Sequence, residues 1–335
     1  WILEKVLIYK MDKKAALMIV PTGIGASIGG YAGDASPYAQ KIAEHLPLIV
    51  NPNIVNAAVF SGITNNMYYL EGWAIEQFVK GNIILKPSKN NKIGIIFDKA
   101  ISKKVLNIHI NTINAIKTVY NIDICGYEIT EAPTQVEFFK TQSGISSGKV
   151  NTPQTLLKSA KKLLKKGANA LAVVCAFEEP PEDDYEDGCG VDIVGGVEAV
   201  ISHYLTKELM CPCVHAPAFE DITICDKQVH PKVSAEYITP TFLPCLLLGL
   251  KNAPLLVNIK NSQQDDCLNV ENLHSVVVPF NCLGSSVVID SLEKNIPVYA
   301  IKENKTVLNV DKNSLNLTNV IEVETYEDYI KILRE

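Results

Sequence analysis

The chain contains no apolar run long enough to cross a membrane. The longest, Thr241 to Leu250, is broken by Pro244 and ended by Lys251, about half of what a spanning helix needs. It also lacks a basic block with interleaved aromatics, and its net charge is −6. Both features argue against a nucleic-acid groove. The opening residues, WILEKVLIYKMDKK, have no sustained apolar core and do not read as a secretory leader. No Pro/Ser-rich linker, short-period repeat or low-complexity tract divides the chain. The nine cysteines are odd in number and irregularly spaced, and Cys175 and Cys245 lie inside apolar runs. That pattern fits reduced thiols better than a disulfide framework. The expected setting is the cytoplasm, or the plastid if the source carries one. No membrane or nucleic-acid partner is expected, and a homo-oligomer stays open.

What is present is a globular composition: 335 residues, 47% hydrophobic and 20% charged. This length suits two domains or one large α/β unit. The acidity is local. Residues 178–188 hold seven carboxylates and no Lys or Arg, and the rest of the chain carries +1. A solvated loop is the plain reading; a lid, or a segment that recruits magnesium, is the functional one.

Apolar runs alternate with amphipathic stretches along the chain. Ala15–Val20, Leu48–Val50, Lys92–Phe97, Ala170–Ala176, Val276–Val278 and Pro297–Ile301 read as buried strands. Tyr38–Leu46, Val105–Tyr120, the stretch from Pro153 to Gly167, Gly196–Leu209 and Ser286–Lys294 read as helices. The predicted fold is α/β: a doubly wound, mostly parallel sheet or sheets with helices on both faces. It occupies 15–310, as one unit or as two Rossmann-like lobes, 15–150 and 151–310. An N-terminal extension (1–14) and a C-terminal segment (311–335) flank it.

The most informative segment is Pro21-Thr-Gly-Ile-Gly-Ala-Ser-Ile-Gly-Gly-Tyr-Ala-Gly-Asp34, with five glycines between Gly23 and Gly33. Glycine lets backbone N–H groups approach an anion, and a following helix adds positive potential. A dinucleotide fingerprint fails here: Ile28 takes the third glycine position, and Asn51 and Asn53 stand where an acid would hold a ribose. An anion loop and a purely structural turn remain. Ser143-Gly-Ile-Ser-Ser-Gly-Lys149 resembles a P-loop, but its glycines are too close and Val150 replaces the magnesium-binding hydroxyl. It reads as a Ser/Gly loop with Lys149 as a charge clamp, or as an exposed linker. Asn281-Cys282-Leu283-Gly284-Ser285-Ser286 puts a thiol before a helix, where it is either an activated nucleophile or a small buried residue beside a cap. Glu303 and Asn304 end the next strand at the same edge. His203, Cys211, Cys213 and His215 suggest zinc, but their spacing matches no standard site, and no metal set is predicted. Asp192 precedes a helix on which Glu198 and Ser202, four apart, share a face. His215 is the preferred general base, against the plainer reading of a structural histidine beside a strand.

These segments together resemble one family. Residues 21–34, Gly-Val-Asp (190–192), Glu-Ala-Val-Ile-Ser-His (198–203), His-Ala-Pro-Ala (215–218), Thr-Phe-Leu-Pro-Cys (241–245) and Glu-Asn-Lys-Thr (303–306) look like the domain of unknown function 3326, of cyanobacterial and plastid-lineage type. The resemblance runs over roughly 15–310 and implies no activity. Members tend to carry two glycines where this chain has Gly284-Ser285. A weaker similarity links Lys162 to Cys175 with the helix-to-strand-cysteine element of aspartate/glutamate racemases, with Cys282 as the second thiol.

The predicted site lies at the C-terminal ends of parallel strands and holds a small anionic metabolite, a carboxylate or phosphate. Thr22, Gly23, Gly25, Ser27, Gly29, Gly30 and Asp34 form its glycine loop. Ser143, Ser147, Lys149, Gly284, Ser285, Glu303 and Asn304 add contacts. His215 or Asp192 moves protons, and Cys282 assists. No cofactor is specified. The function expected is a metabolic enzyme. A two-cysteine racemase or isomerase using Cys175 and Cys282 is the first alternative, and a non-catalytic ligand-binding protein the second.

Overall fold

The computed structural model describes residues 14–31, 33–55, 62–180, 184–222, 227–259 and 267–335. The expected N-terminal extension, up to residue 13, and part of the acidic loop lie outside them. The chain opens with β1 (Ala15–Met18), α1 (Ser36–Ala43), β2 (Leu48–Val50), α2 (Pro52–Val55), β3 (Met67–Tyr69), α3 (Gly72–Lys80) and β4 (Ile83–Lys86). It continues through β5 (Ile93–Phe97), α4 (Lys103–Tyr120), β6 (Ile124–Ile129), β7 (Val136–Lys140), β8 (Ser146–Val150), α5 (Pro153–Lys165), β9 (Ala170–Ala176), α6 (Gly195–Leu209), β10 (Cys213–Ala218) and α7 (Leu243–Lys251). It closes with β11 (Leu255–Asn258), β12 (Leu273–Pro279), α8 (Ser286–Glu293), β13 (Val298–Ile301), β14 (Val320–Val323) and α9 (Tyr326–Ile332).

Two parallel sheets result. The first has six strands in the order β3-β2-β1-β12-β13-β14, and the second four, β10-β9-β5-β6. Their strands read as unbroken Val/Ile/Leu/Ala runs because both faces are covered. In the second sheet α5 packs on β5 and β6 while α6 packs on β10, and α4 and α7 pack together on the opposite side. The fold is α/β, as expected. The sheets do not part at residue 150, however. β5 and β6 precede that position, β9 and β10 follow it, and all four pair in one sheet. The second sheet is instead inserted between β3 and β12 of the first.

The run 241–250 becomes α7. Leu243, Cys245, Leu246, Leu247 and Leu250 are all buried, so the helix is apolar all round, as a helix inside a core must be. Pro244 sits in its first turn, where no backbone N–H is lost from the ladder. One continuous hydrophobic core joins the first sheet to the α4/α7 face of the second, and a separate core fills the α5/α6 face.

Candidate functional site

The glycine loop after β1 folds onto its own acceptors. Gly23, Gly25, Gly29 and Gly33 have positive φ, a region L side chains rarely enter. The Gly29 N–H donates to the Asp34 carboxylate (2.7 Å) and the Ile28 N–H to the Asn304 side-chain oxygen (3.1 Å). The Ser27 N–H donates to the Lys305 carbonyl (2.7 Å), and the Ser27 hydroxyl to the Glu303 carbonyl (3.1 Å). The carboxylate the sequence led us to expect as a guest is thus supplied by the protein. Asp34 and Asn304 are structural clamps, and the Glu303 carboxylate accepts from the Tyr326 N–H at 2.7 Å, tying down α9. Thr22 and Gly30 alone of the predicted loop residues line the cavity described below.

Burial pushes the Asp34 carboxyl up from 3.8 to about 6, opposed by the Gly29 N–H and by Lys232. Its contribution to stability is therefore full below pH 3.8 and is lost as pH rises through about 6. Asp34→Asn keeps the acceptor and removes the titration. Urea unfolding at pH 4 and pH 7 is expected to show wild type losing about 1–2 kcal/mol relative to this variant, after allowing for solvent screening. A difference that stays flat with pH would show that the carboxyl is not buried in this way.

The segment 143–149 is not a loop but the turn and second strand of the β7–β8 hairpin. Ser143 bonds Thr141 at its exposed tip, and Lys149 is exposed on the strand. Neither they nor Ser147 line the cavity. The neighbouring Ser146 has the structural role: its hydroxyl donates to the Ile193 carbonyl (2.7 Å) and accepts the Gly196 N–H (2.8 Å), docking the hairpin on the start of α6.

Asn281 to Ser286 lies at the same sheet edge as the glycine loop but outside the cavity. Ser285 caps α8 through the Val288 N–H. The Gly284 Cα faces Val310, where an added Cβ would lie 3.1 Å from the valine side chain. Cys282 is 4% exposed, and burial raises its thiol to about 12. It is not an activated nucleophile. Cys175 points into the other core, bonds Thr134 at 3.9 Å, and is likewise pushed up by burial. The two thiols occupy separate cores on different sheets, so they cannot flank one carbon.

The described residues enclose a cavity of about 670 Å³ between the carboxyl ends of the two sheets. Thr22, Gly30, Tyr31 and Asn53 line it from the first sheet; His215 to Pro217, Phe219, Glu179 and Pro180 come from the second. Asp192 and Val194, just before α6, enter with Glu198 from the helix itself, and Phe242, just before α7, enters with Cys245 and Leu246. Tyr185 and Glu186, with Lys227, Glu236 and Tyr237, also line it. Asp192 and His215 were predicted and are brought together here. Asp192 accepts the Val194 and Gly195 N–H groups (3.0 and 3.2 Å), anchoring the start of α6.

Glu198 and His215 form the chemical centre. Glu198 Oε1 lies 3.9 Å from His215 Nε2, too far for a hydrogen bond. Burial first, then Asp192 and Glu236, raise the Glu198 carboxyl well above its ordinary range. Burial lowers His215 to about 3. Burial thus disfavours the charged form of both partners. His215 Nδ1 meets the Ser202 hydroxyl at 2.8 Å. The Tyr185 hydroxyl donates to Glu236 (3.1 Å), and its ring tilts against Tyr31 at 4.9 Å. The spacing of Glu198 and Ser202 on one helix face signalled this cluster. Nothing periodic in 227–242 signalled Glu236 or Tyr237. His203, once grouped with His215, instead faces Glu71 at 3.3 Å. Among the described residues no three His, Cys, Asp or Glu side chains converge to hold a metal, and no helix is long and apolar enough to cross a membrane.

Comparison with known proteins places this geometry in a family without an assigned activity. The family described as "Protein of unknown function (DUF3326)" matches residues 15–334, so β14 and α9 fall within its unit rather than in a separate tail. A protein of Synechococcus sp. described as an uncharacterized lipoprotein is 36% identical over 300 residues, 88% of this chain and 83% of the relative. No solved structure matches. On the extent of the family match and the identity to this relative, the chain belongs to the DUF3326 family.

Proposed function

We propose that the protein is a small-molecule enzyme that moves protons between its ligand and the Glu198–His215 pair. The carrying observation is that pair itself: a buried carboxyl and a buried imidazole 3.9 Å apart, both opening on a cavity of about 670 Å³, the size of a metabolite site. Groups whose environments push their pKa values in opposite directions divide naturally into acid and base. A neutral carboxyl can give a proton and a neutral imidazole can take one. The Ser202 hydroxyl lies 3.2 Å from the Ala199 carbonyl. Donating there, it accepts from His215 Nδ1–H and leaves the Nε2 lone pair on the side of Glu198. The reaction class this favours is abstraction and return of a proton on a bound ligand.

The strand order of the first sheet reverses between β1 and β12, which supports the Rossmann-like reading and a ligand crevice at the carboxyl ends. An anionic ligand has less support, because the glycine loop's amides meet the protein's own acceptors and the lining is rich in carboxylates. Buried thiols such as Cys175, Cys211 and Cys213 favour a reducing, cytoplasmic setting. The relative's description as a lipoprotein points instead to anchoring, and cell fractionation decides between them.

The test is a thermal-shift screen of small metabolites followed by turnover assays on each binder. His215→Gln is expected to keep binding within about threefold and to lose about 10²–10⁴-fold in turnover. Tight binding that wild type never converts would overturn the enzyme reading and leave a ligand-binding protein.

A further inference from the structure

We infer that the first half of the glycine loop is an oxyanion cradle, in which the backbone N–H groups of Gly23, Ile24, Gly25 and Ala26 receive the carbonyl oxygen of a ligand whose neighbouring carbon gives its proton to His215. The inference rests on the proton-transfer reading above and adds the substrate class: a carbonyl compound with a hydrogen on the carbon beside the carbonyl.

The first support is a run of backbone donors. The loop closes on the protein's own acceptors only in its second half, through the N–H groups of Ser27, Ile28 and Gly29. Among the described residues, no acceptor meets the N–H groups of Gly23, Ile24, Gly25 or Ala26. Gly23 is buried, and Ile24 and Ala26 are 4% and 3% exposed. Buried backbone N–H groups nearly always have a partner, so a set left over by the protein marks a place for an acceptor from outside it. The backbone also has the form that gathers such groups. Gly23 and Gly25 have φ of +72° and +55°, while Ile24 and Ala26 stay out of the positive region. That alternation turns successive N–H groups into a concavity that holds anionic oxygen.

The second support is position. Residues 21–26 line, with Gly30, Asn53 and Asp192, a recess of about 10 Å³, room for about one water-sized atom. Thr22, Gly30, Asn53 and Asp192 border both this recess and the large cavity. The recess is therefore a side pocket of the space that holds Glu198 and His215. Asp192, its acidic member, has Oδ1 engaged by the Val194 and Gly195 N–H groups at 3.0 and 3.2 Å. The cradle is also braced. The Gly23 carbonyl accepts the Ser146 N–H (2.9 Å) and the Ile24 carbonyl the Val307 N–H (3.0 Å). A Cβ on Gly25 would lie 2.8 Å from Val191 and 2.9 Å from Val307. Donors fixed in this way need no rearrangement when charge develops before them.

The chemistry follows from what such a cradle offers. It has only donors, so the ligand brings the acceptor. The acid–base pair needs a proton that leaves readily. A carbonyl group meets both demands: it accepts hydrogen bonds and it acidifies the hydrogen on the adjoining carbon. His215 Nε2 takes that proton, the C–H electron pair becomes a carbon–carbon double bond, and the carbonyl pair moves onto oxygen. The amides hold this enolate oxygen more strongly than the carbonyl it came from, which is the condition for lowering the barrier. In the return step the electron pairs move back and carbon takes a proton from Glu198. The proton left on His215 then passes to Glu198 and restores the pair.

Nuclear magnetic resonance of the full chain, deuterated and labelled at glycine nitrogen, tests the inference without a substitution in the loop. Thr22–Gly23 is the one Thr-Gly pair in the sequence, and Ile-Gly occurs at 24–25, 28–29 and 93–94. A carbonyl-carbon label on threonine or isoleucine therefore picks out these amides. Acetone and acetylacetone are the carbonyl probes, at up to about 0.1 M, a hundredfold excess over a millimolar affinity. Acetate and methylammonium are the counter-probes. The expected result is a saturable downfield shift of the Gly23 and Gly25 amide protons with the carbonyl probes. Gly29, bonded to Asp34, and Gly94, in β5, should stay in place. His215→Gln should keep these shifts, since the imidazole does not line the recess. No shift at Gly23 and Gly25, or an equal one at Gly29 and Gly94, overturns the inference. So does a response to acetate alone, which makes the recess an anion nest, or to methylammonium alone. The two readings fail separately. Carbonyl docking at Gly23, with no deuterium entering any bound carbonyl compound from heavy water, removes the enzyme and keeps the cradle; turnover through His215 with Gly23 unmoved does the reverse.

Discussion

Gly196→Ala is expected to destabilise the protein by about 3 kcal/mol, although the same change in a helix ordinarily stabilises it by up to about 1 kcal/mol. A Cβ at Gly196 would lie 2.2 Å from the Ser146 carbonyl oxygen, 2.4 Å from its carbon and 2.6 Å from the Ser147 nitrogen. All three are backbone atoms, so no rotamer change relieves the overlap. The hairpin would have to leave the helix. It is held there by the Gly196 N–H on the Ser146 hydroxyl (2.8 Å) and by the Ser146 N–H on the Gly23 carbonyl (2.9 Å). Gly148 meets the same interface from the other side, 2.3 Å from the Val197 Cβ by the same construction. Chemical denaturation of the variant measures the loss. Stability equal to or above wild type would show that strand β8 does not approach α6 this closely. Since Glu198 lies two residues further along α6, any shift of the helix start should also loosen ligand binding.

Asn304→Ala is expected to cost about 3–4 kcal/mol, with little direct effect on ligand contacts. Asn304 is fully buried. Its oxygen accepts the Ile28 N–H at 3.1 Å, and its nitrogen donates to the Ile28 carbonyl (2.7 Å) and the Tyr326 hydroxyl (2.8 Å). Truncation strands three polar groups from different parts of the chain, each costing roughly 1–3 kcal/mol if it stays dry. The ligand role that the sequence suggested gives a different outcome: normal unfolding free energy and weakened binding. Equilibrium denaturation beside titration with any validated ligand separates the two.

Much of the fold was legible because burial on both sides of a parallel strand leaves an unbroken apolar run, as in 15–20, 170–176 and 276–278. The insertion of one sheet into the other was not, since strand pairing is a long-range choice that no local pattern encodes. The hairpin 136–150 was missed for a related reason. The Ser/Gly content of its second strand, β8, reads as loop, and that strand's character comes from pairing with β7 and packing on α6 rather than from propensity. Asp192, His215, Thr22 and Gly30, singled out in the sequence, line the cavity because segments at the carboxyl ends of parallel strands converge there. Cys282 and Asn304 misled because the same polar residues that hold ligands also clamp loops. Only burial and partners tell the two apart. Glu198 was visible as a helix-face residue, but its carboxylate neighbours Asp192 and Glu236 lie 6 and 38 residues away in the chain, and only the fold brings Glu236 to it.

The six-stranded sheet takes β1–β3 from the start of the chain and β12–β14 from its end. A ribosome finishes all four strands of the smaller sheet before it makes β12. The central strand β1 must therefore wait, unpaired on one side, until some 250 residues more have been synthesised, on the order of tens of seconds at cellular elongation rates. The order of assembly reverses the order of translation: the inserted half can settle first, and the half that begins the polypeptide closes last around it.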